Sequence, residues 1–395
     1  MKRLGISIYP EKATREETFA YMERAAKAGF SRIFSCLLSV EDDRETLKRD
    51  YIEMNNRAHE LGLEVMLDCN PRVFDELGVS YKDLSFFKEI GADGIRLDMG
   101  FSGSEESLMT FNPQGLLVEI NMSNDTHYVD TIMDYCPDTN HLVGCHNFYP
   151  HNYSGLTLEH FTKCTENFRR HGLQTAAFVT SQASGTFANW PVTDGLPTLE
   201  MHRHLPLHLQ VEHFISMGTI DDVIISNCYP SDEELAILKD LPRNLVCFDV
   251  ELIEGLPEVE RSIVLDELHF NRGDVSVNFL RSTQSRVKYK GHEFKVLNAP
   301  ATIRRGDVVI ESSEYGHYAG ELQIALSDME NSGKSSVVGL SVALGVGITQ
   351  VSGCLAGEGF PAWVNTVFGS SSVVVAALMA ILLNLILPKE PSANG

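Results

Sequence analysis

Gly91-Ala-Asp-Gly-Ile-Arg-Leu-Asp-Met-Gly100 reads as a glycine that ends a helix, a turn, and a short buried strand that carries Arg96 and Asp98 on one face. Residues i and i+2 of a strand share a face, so a cation and a carboxylate are directed together toward the strand's C-terminal end. Outward from this stretch the same unit repeats. Apolar, β-branched runs lie at 4–9, 33–38, 64–69, 94–99, 116–122, 142–149, 175–179 and 223–228. Helical patterns fall between them, and Gly29, Gly62, Gly91, Gly172 and Gly218 stand where helices stop. Repeated strand, helix, glycine, strand units call for parallel pairing through right-handed crossovers. Eight such runs within about 240 residues predict an α/β fold, a closed (β/α)8 TIM barrel, with a doubly wound open sheet as the second choice.

The whole chain of 395 residues is 43% hydrophobic and 22% charged, an ordinary globular composition. With 32 Lys+Arg against 54 Asp+Glu, its net charge of -22 argues against a nucleic-acid partner, which requires a basic footprint. Small anionic ligands stay admissible wherever a site is locally basic. The 8 cysteines are scattered without a CxxC pair and read as reduced thiols of a cytoplasmic protein. Met1-Lys-Arg leads into an amphipathic strand pattern rather than the roughly 7–15-residue apolar stretch of a secretion signal, which also points to the cytoplasm.

Barrels of this type keep their chemistry at the C-terminal ends of the strands. There the runs deliver Ser7 and Tyr9, Asp68 and Asn70, Arg96 and Asp98, Glu119 and Asn121, then His146, Asn147 and Tyr149, and finally Asn227. Asp68, Asp98 and Glu119 come from three successive strands. Burying that many carboxylates is costly unless they are paired or functional, so an active site is the stronger reading and structural pairing, such as Arg96 neutralising Asp98, the weaker. His146-Asn-Phe-Tyr-Pro-His151 has the aromatic and hydrogen-bonding groups that suit a sugar ring, and equally those of a lid over the barrel. Gly195 to Arg203 is expected to open the seventh helix, with Pro197 and Thr198 in a first turn whose N–H groups can receive an anion.

Near Leu241-Pro-Arg-Asn244 the alternation gives way to strands and turns, with runs at 246–250, 275–280, 287–289, 308–311 and 321–325. This predicts a small all-β domain over 243–335 after a barrel over 1–242. Between Arg281 and Arg305 seven Lys/Arg face one acid, Glu293. That basic island favours an anionic contact, although lysines guarding sheet edges account for single positions. From 335 to 388 the sole charge is Glu358, and 337–356 and 373–387 are continuous apolar runs. A hydrophobic tail over 336–395 is therefore expected, with residues 337–387 drawing the chain to a membrane.

Taken together, Leu4-Gly-Ile-Ser-Ile-Tyr-Pro10, Gly91–Gly100, Glu119-Ile-Asn-Met-Ser-Asn124, His146–Pro150, Gly195–Arg203, Arg281-Ser-Thr283 and Tyr315–Ile324 resemble the bacterial 6-phospho-N-acetylmuramidases. The resemblance covers residues 1 to about 338. It implies a TIM barrel with a cyclophilin-like β domain, and hydrolysis of a 6-phospho-N-acetylmuramic acid–N-acetylglucosamine disaccharide from peptidoglycan turnover. No cofactor or metal is expected. Gly339-Leu-Ser-Val-Ala-Leu-Gly-Val-Gly-Ile-Thr-Gln-Val-Ser-Gly353 instead resembles the C-terminal end of a uracil/xanthine-type permease.

A glycosidase needs two carboxyl groups across the scissile bond, and Asp68, Asp98 and Glu119 are the candidates. Tyr9, Arg96, Asn121, His146, Asn147, Tyr149, Arg203, Asn227 and Arg281 are the expected substrate-binding residues, with the arginines meeting phosphate and lactyl carboxylate. Two other classes fit the same residue types. A metal-dependent sugar isomerase or epimerase would gather Asp98, Glu119 and His146 around one divalent ion, and a membrane-tethered carbohydrate-binding protein would bind without turnover.

Overall fold

The structure, a computed structural model, describes residues 2–38, 44–190 and 194–341. It separates into two compact units, Met1–Val246 and Cys247–Gly395.

In the first unit eight parallel strands close on themselves: β1 (Arg3–Ile8), β2 (Arg32–Cys36), β3 (Glu64–Cys69), β4 (Gly94–Leu97), β5 (Leu117–Asn121), β6 (Leu142–Cys145), β7 (Gln174–Val179) and β8 (Asp222–Ile225). β8 pairs back onto β1, so the open-sheet alternative does not hold. Helices cover the outside of the strands and side chains fill the inside. Strands buried on both faces read as continuous apolar runs, which is why the periodicity located them. Gly91, at φ 79°, ends the helix Ser85–Glu89 in the left-handed region. At Gly94 the first residue of β4 presses on its neighbours so closely that a Cβ would lie 2.5 Å from Met66 Sδ and 2.9 Å from Leu117 Cβ. The stretch around Arg96 is therefore fixed at both ends.

The seventh helix differs from expectation. It runs Leu207–Met217, behind a single 3-10 turn at Glu200–His202. Pro206 is its N-cap at φ -48°, ψ 140°, and proline has no N–H with which to carry a helix through that point. Leu199 before the 3-10 turn is extended, and Thr198 spends its hydroxyl on the Asn147 carbonyl at 2.8 Å. The anion-receiving helix start expected at Pro197-Thr198 is not formed.

The second unit is an antiparallel sheet domain. Strands β9 (Val250–Leu252), β10 (Phe279–Ser282), β12 (Asp307–Glu311), β13 (Leu322–Ala325) and β15 (Ser335–Ser341) form a sheet in the order β10-β13-β12-β15-β9, while β11 (Thr302–Ile303) and β14 (Met329–Glu330) pair separately. The run at 287–289 is not a strand. Val287 lies in the helix Gln284–Lys288, 71% exposed and without a strand beside it. Residues 336–341, expected to begin the hydrophobic tail, instead belong to β15, whose Val337 and Val338 are buried against the sheet's two faces. Among the described residues no helix is long and apolar enough to cross a membrane, and the rest of the tail, 342–395, lies outside them.

Because β15 sits between β12 and β9, a chain ending at Lys334 leaves β9 without its partner and β12 with β13 alone, and removes two buried valines worth about 1.5–3 kcal/mol each. It should lose the cooperative urea transition of the second unit, and a chain ending at Ser341 should keep it. Identical transitions in the two chains would contradict the placement of β15.

Candidate active site

An ionic column rises through the inside of the barrel. At its foot, on the first residues of their strands, Arg3 pairs with Asp222 at 2.6 Å and Glu64 at 3.0 Å, and Arg32 reaches Asp222 at 2.6 Å. The other arm of Arg32 donates to Glu119, in the middle of β5, and both are fully buried. Glu119 in turn lies 4.0 Å from Arg96 Nε. Near the mouth Arg96 Nη1 donates to Asp68 Oδ1 at 2.5 Å and Asp98 Oδ1 at 3.5 Å, while Nη2 donates to Asn147 Oδ1. The register explains this assembly: Asp68 stands beside Arg96, and Arg96 beside Glu119, on adjacent strands. Arg96's nearest acid is thus Asp68 rather than the Asp98 that shares its own strand face.

Five carboxyl groups meet three guanidinium groups along this column, and the imbalance falls at the mouth. Burial pushes the Asp68 carboxyl up to about 6 against the pull of Arg96, and the Asp98 charge adds to the rise. Asp98, one-third exposed, is the carboxylate that solvent reaches.

The other candidates divide into rim and scaffold. Asn121, at the end of β5, donates to the Asp98 carbonyl at 3.2 Å and accepts from the Ser123 N–H at 2.9 Å, so it shapes the rim beside Asp98. Tyr149 is half-buried on the same face, and its burial raises the phenol. His146 is fully buried, with Nε2 2.9 Å from Thr165 Oγ1, Nδ1 3.3 Å from Ser123 Oγ, and its ring stacked on Phe161. Burial lowers its imidazole to about 3, so it is neutral and committed to structure. Asp98, Glu119 and His146 therefore do not converge on one point as the isomerase reading requires. Among the described residues no group of three His, Cys, Asp or Glu side chains is placed to hold a metal ion.

Tyr9 is sealed in the core, its hydroxyl donating to the Ser226 carbonyl at 2.6 Å. Asn227 is equally enclosed, accepting from Ser181 N–H at 2.8 Å and donating to the Ser181 carbonyl at 3.1 Å. Arg203 is saturated: Nε and Nη2 each reach Glu200 at 2.7 Å, and Nη1 donates to the carbonyls of Tyr149, Gly195 and Asp194 at 2.9, 3.0 and 3.3 Å. Glu200 also accepts from Tyr153 and Gly155 N–H. The pair is a clasp that closes the loop between β7 and the seventh helix.

The family model for 6-phospho-N-acetylmuramidase, N-terminal, matches residues 4–240, and that for 6-phospho-N-acetylmuramidase, C-terminal, matches 246–342. The chain belongs to the 6-phospho-N-acetylmuramidase family. It is accordingly a glycosidase. An uncharacterized B. cereus protein of known structure is 44% identical, over 87% of this chain and 95% of that one, with a TM-score of 0.78. A conserved Enterococcus faecalis protein with an unknown function is 22% identical, over 86% and 90% of the two chains, with a TM-score of 0.60, and shares the fold. No curated protein matches the sequence.

In this muramidase-family chain the sequence reading passed over two sets of residues. Arg3, Arg32 and Asp222 stand at strand starts, the end of the barrel opposite to its chemistry. Glu11, exposed just after β1, adds an acid to the barrel's C-terminal face, close enough for its charge to act on Cys228 beyond β8. Its signal was available, since it follows the first strand directly. In the second unit Arg281 donates to the Asp274 carbonyl at 2.6 Å and carboxylate at 3.1 Å. Arg286 lies 3.2 Å from Glu321, and Lys288 pairs with Glu267. Arg281, Arg286 and Lys288 of the basic island are thus paired with acids outside its own stretch.

Arg32 carries the weight of the column's foot. Arg32→Leu leaves Glu119 buried with only Arg96, 4.0 Å away, and Asp222 with Arg3 alone. Urea denaturation should show a loss of about 3–5 kcal/mol, whereas a loss under about 1 kcal/mol would mean that the column does not hold the barrel together.

Proposed function

We propose that the chain hydrolyses the glycosidic bond of a 6-phosphorylated N-acetylmuramic acid–N-acetylglucosamine disaccharide at the mouth of the ionic column, and that the two carboxyl groups sharing Arg96 do the chemistry. The observation that carries this is the pairing of one exposed and one buried aspartate on a single guanidinium nitrogen. Their oxygens lie at most the sum of the two contact distances, about 6 Å, apart, a span within reach of one glycosidic bond. Asp98 meets the anomeric centre or the attacking water. Asp68, held up near 6, supplies the proton to the departing oxygen as the C–O bond breaks, and water restores it.

Arg96 sets the relative position of the two acids, and Glu119 acts beneath them as the counter-charge that keeps Arg96 in place. Asn121, Asn147 and Tyr149 offer hydrogen bonds and an aromatic surface to the sugar. A phosphorylated sugar places the reaction in the cytoplasm.

Asp98→Asn keeps the side chain's shape and removes its charge, so turnover of the phosphorylated disaccharide should fall by about 10²–10⁴-fold with the thermal transition unchanged. Near-normal turnover would move the chemistry elsewhere on the rim, with Glu11 the first place to look.

The pH profile gives a second test. A proton donor must be protonated, so with Asp68 titrating near 6, kcat/KM should decline as pH rises above about 6, approaching tenfold per unit. A profile flat from pH 5 to 8 would remove Asp68 from the role of acid.

A further inference from the structure

The saturation of Arg203 leaves open what receives the substrate's phosphate on the barrel. A cavity of about 450 Å³, within the size range of ligand sites, lies against the loop that follows β7. Its far wall is the turn Ser184-Gly185-Thr186, and Arg203 and Asn227 line it from the barrel side. Gly185 takes φ 80°, and a Cβ there would meet nothing within 4 Å, so the turn faces open space. The Thr186 N–H closes the turn onto the Ala183 carbonyl, whereas neither the Ser184 nor the Gly185 amide, nor either hydroxyl, bonds to another described residue.

The amides on both sides are committed. Ser181 N–H goes to Asn227, Gln182 N–H to Glu234, Ala183 N–H to Ser181 Oγ and Phe187 N–H to the Cys228 carbonyl. The loop is thus anchored at its ends, and at its tip two amides and two hydroxyls have no partner among the described residues. Successive N–H groups around a left-handed residue form an anion-binding concavity, and loops after the seventh and eighth strands of such barrels are where phosphates commonly bind.

We propose that Ser184-Gly185-Thr186 is a phosphate-monoester subsite. It holds the 6-phosphate by the Ser184 and Gly185 N–H groups and two hydroxyls, with the exposed His204 ring on the same cavity wall. Arg203 acts behind it as a positioning residue, clasping the loop through the Tyr149, Asp194 and Gly195 carbonyls rather than touching the anion. Asp194 also lines the cavity and disfavours an anion placed near it, which keeps the phosphate at the turn. The inference rests on the disaccharide reading above and names the part of the barrel that makes it phosphate-selective.

The test uses the full chain and its Ser184→Asp variant, which sets a like charge in an exposed turn. The ratio of kcat/KM for the phosphorylated disaccharide to that for the unphosphorylated one should be about tenfold or more in the wild type, and should fall by about tenfold in the variant. Inorganic phosphate, as a separate probe, should compete with the phosphorylated disaccharide in the wild type and much less in the variant. A selective wild type whose ratio survives Ser184→Asp, with phosphate competition unchanged, overturns the subsite alone. A wild type with equal efficiency on both disaccharides overturns the disaccharide reading and the subsite with it. Phosphate that alters turnover of both substrates without competition marks the turn as a regulatory site for free phosphate, and also overturns the proposal. A matching thermal transition in the variant shows that the fold is kept.

Discussion

The pairing of Arg32 with Glu119 inside the barrel is the contact on which the rest of the site depends. A carboxylate with no exposure to water is tolerable only with a cation against it. Arg32 meets that need from below, and Arg96 approaches Glu119 from above. Arg96 is then held with its remaining nitrogens directed at the mouth, where Asp68, Asp98 and Asn147 collect around it. The position of Arg96 at the mouth thus depends on the charges beneath it, while burial sets the protonation of Asp68.

This arrangement separates two roles that residue types alone do not distinguish. Asp68, Asp98 and Glu119 are all carboxylates on neighbouring strands, yet one is enclosed between two arginines, one is buried with its proton favoured, and one faces solvent. Depth in the barrel, set by the register of β3, β4 and β5, accounts for the difference. A two-residue shift along a strand moves a side chain from the mouth to the interior without changing its face.

The barrel was legible in the sequence because both faces of each strand are buried, and because helix ends fall on glycines such as Gly91. The i, i+2 spacing also exposed Arg96 and Asp98. Legibility failed where partners are distant. The i, i+3 spacing already allowed Arg203 an ion pair with Glu200, but it reads as available to an anion until the carbonyls of Tyr149, Asp194 and Gly195 are seen around it. Tyr9 reads as a rim residue until its hydroxyl is found on Ser226. Pro206 broke a helix that the apolar pattern carried too far upstream. In the second unit strands of two to seven residues leave little periodicity, and β15, apolar on both faces, resembles the start of a membrane run until its neighbours β12 and β9 are known.

The environment of Asp68 at the column's mouth favours a proton there. Carboxyl carbon NMR of the full chain with labelled aspartate reads that proton. One aspartate signal should titrate near pH 6 and vanish in Asp68→Asn. If every aspartate in the wild-type chain titrates below about pH 4.5, close to the ordinary carboxylate range, Asp68 is not the proton carrier and the column does not set the chemistry at its mouth.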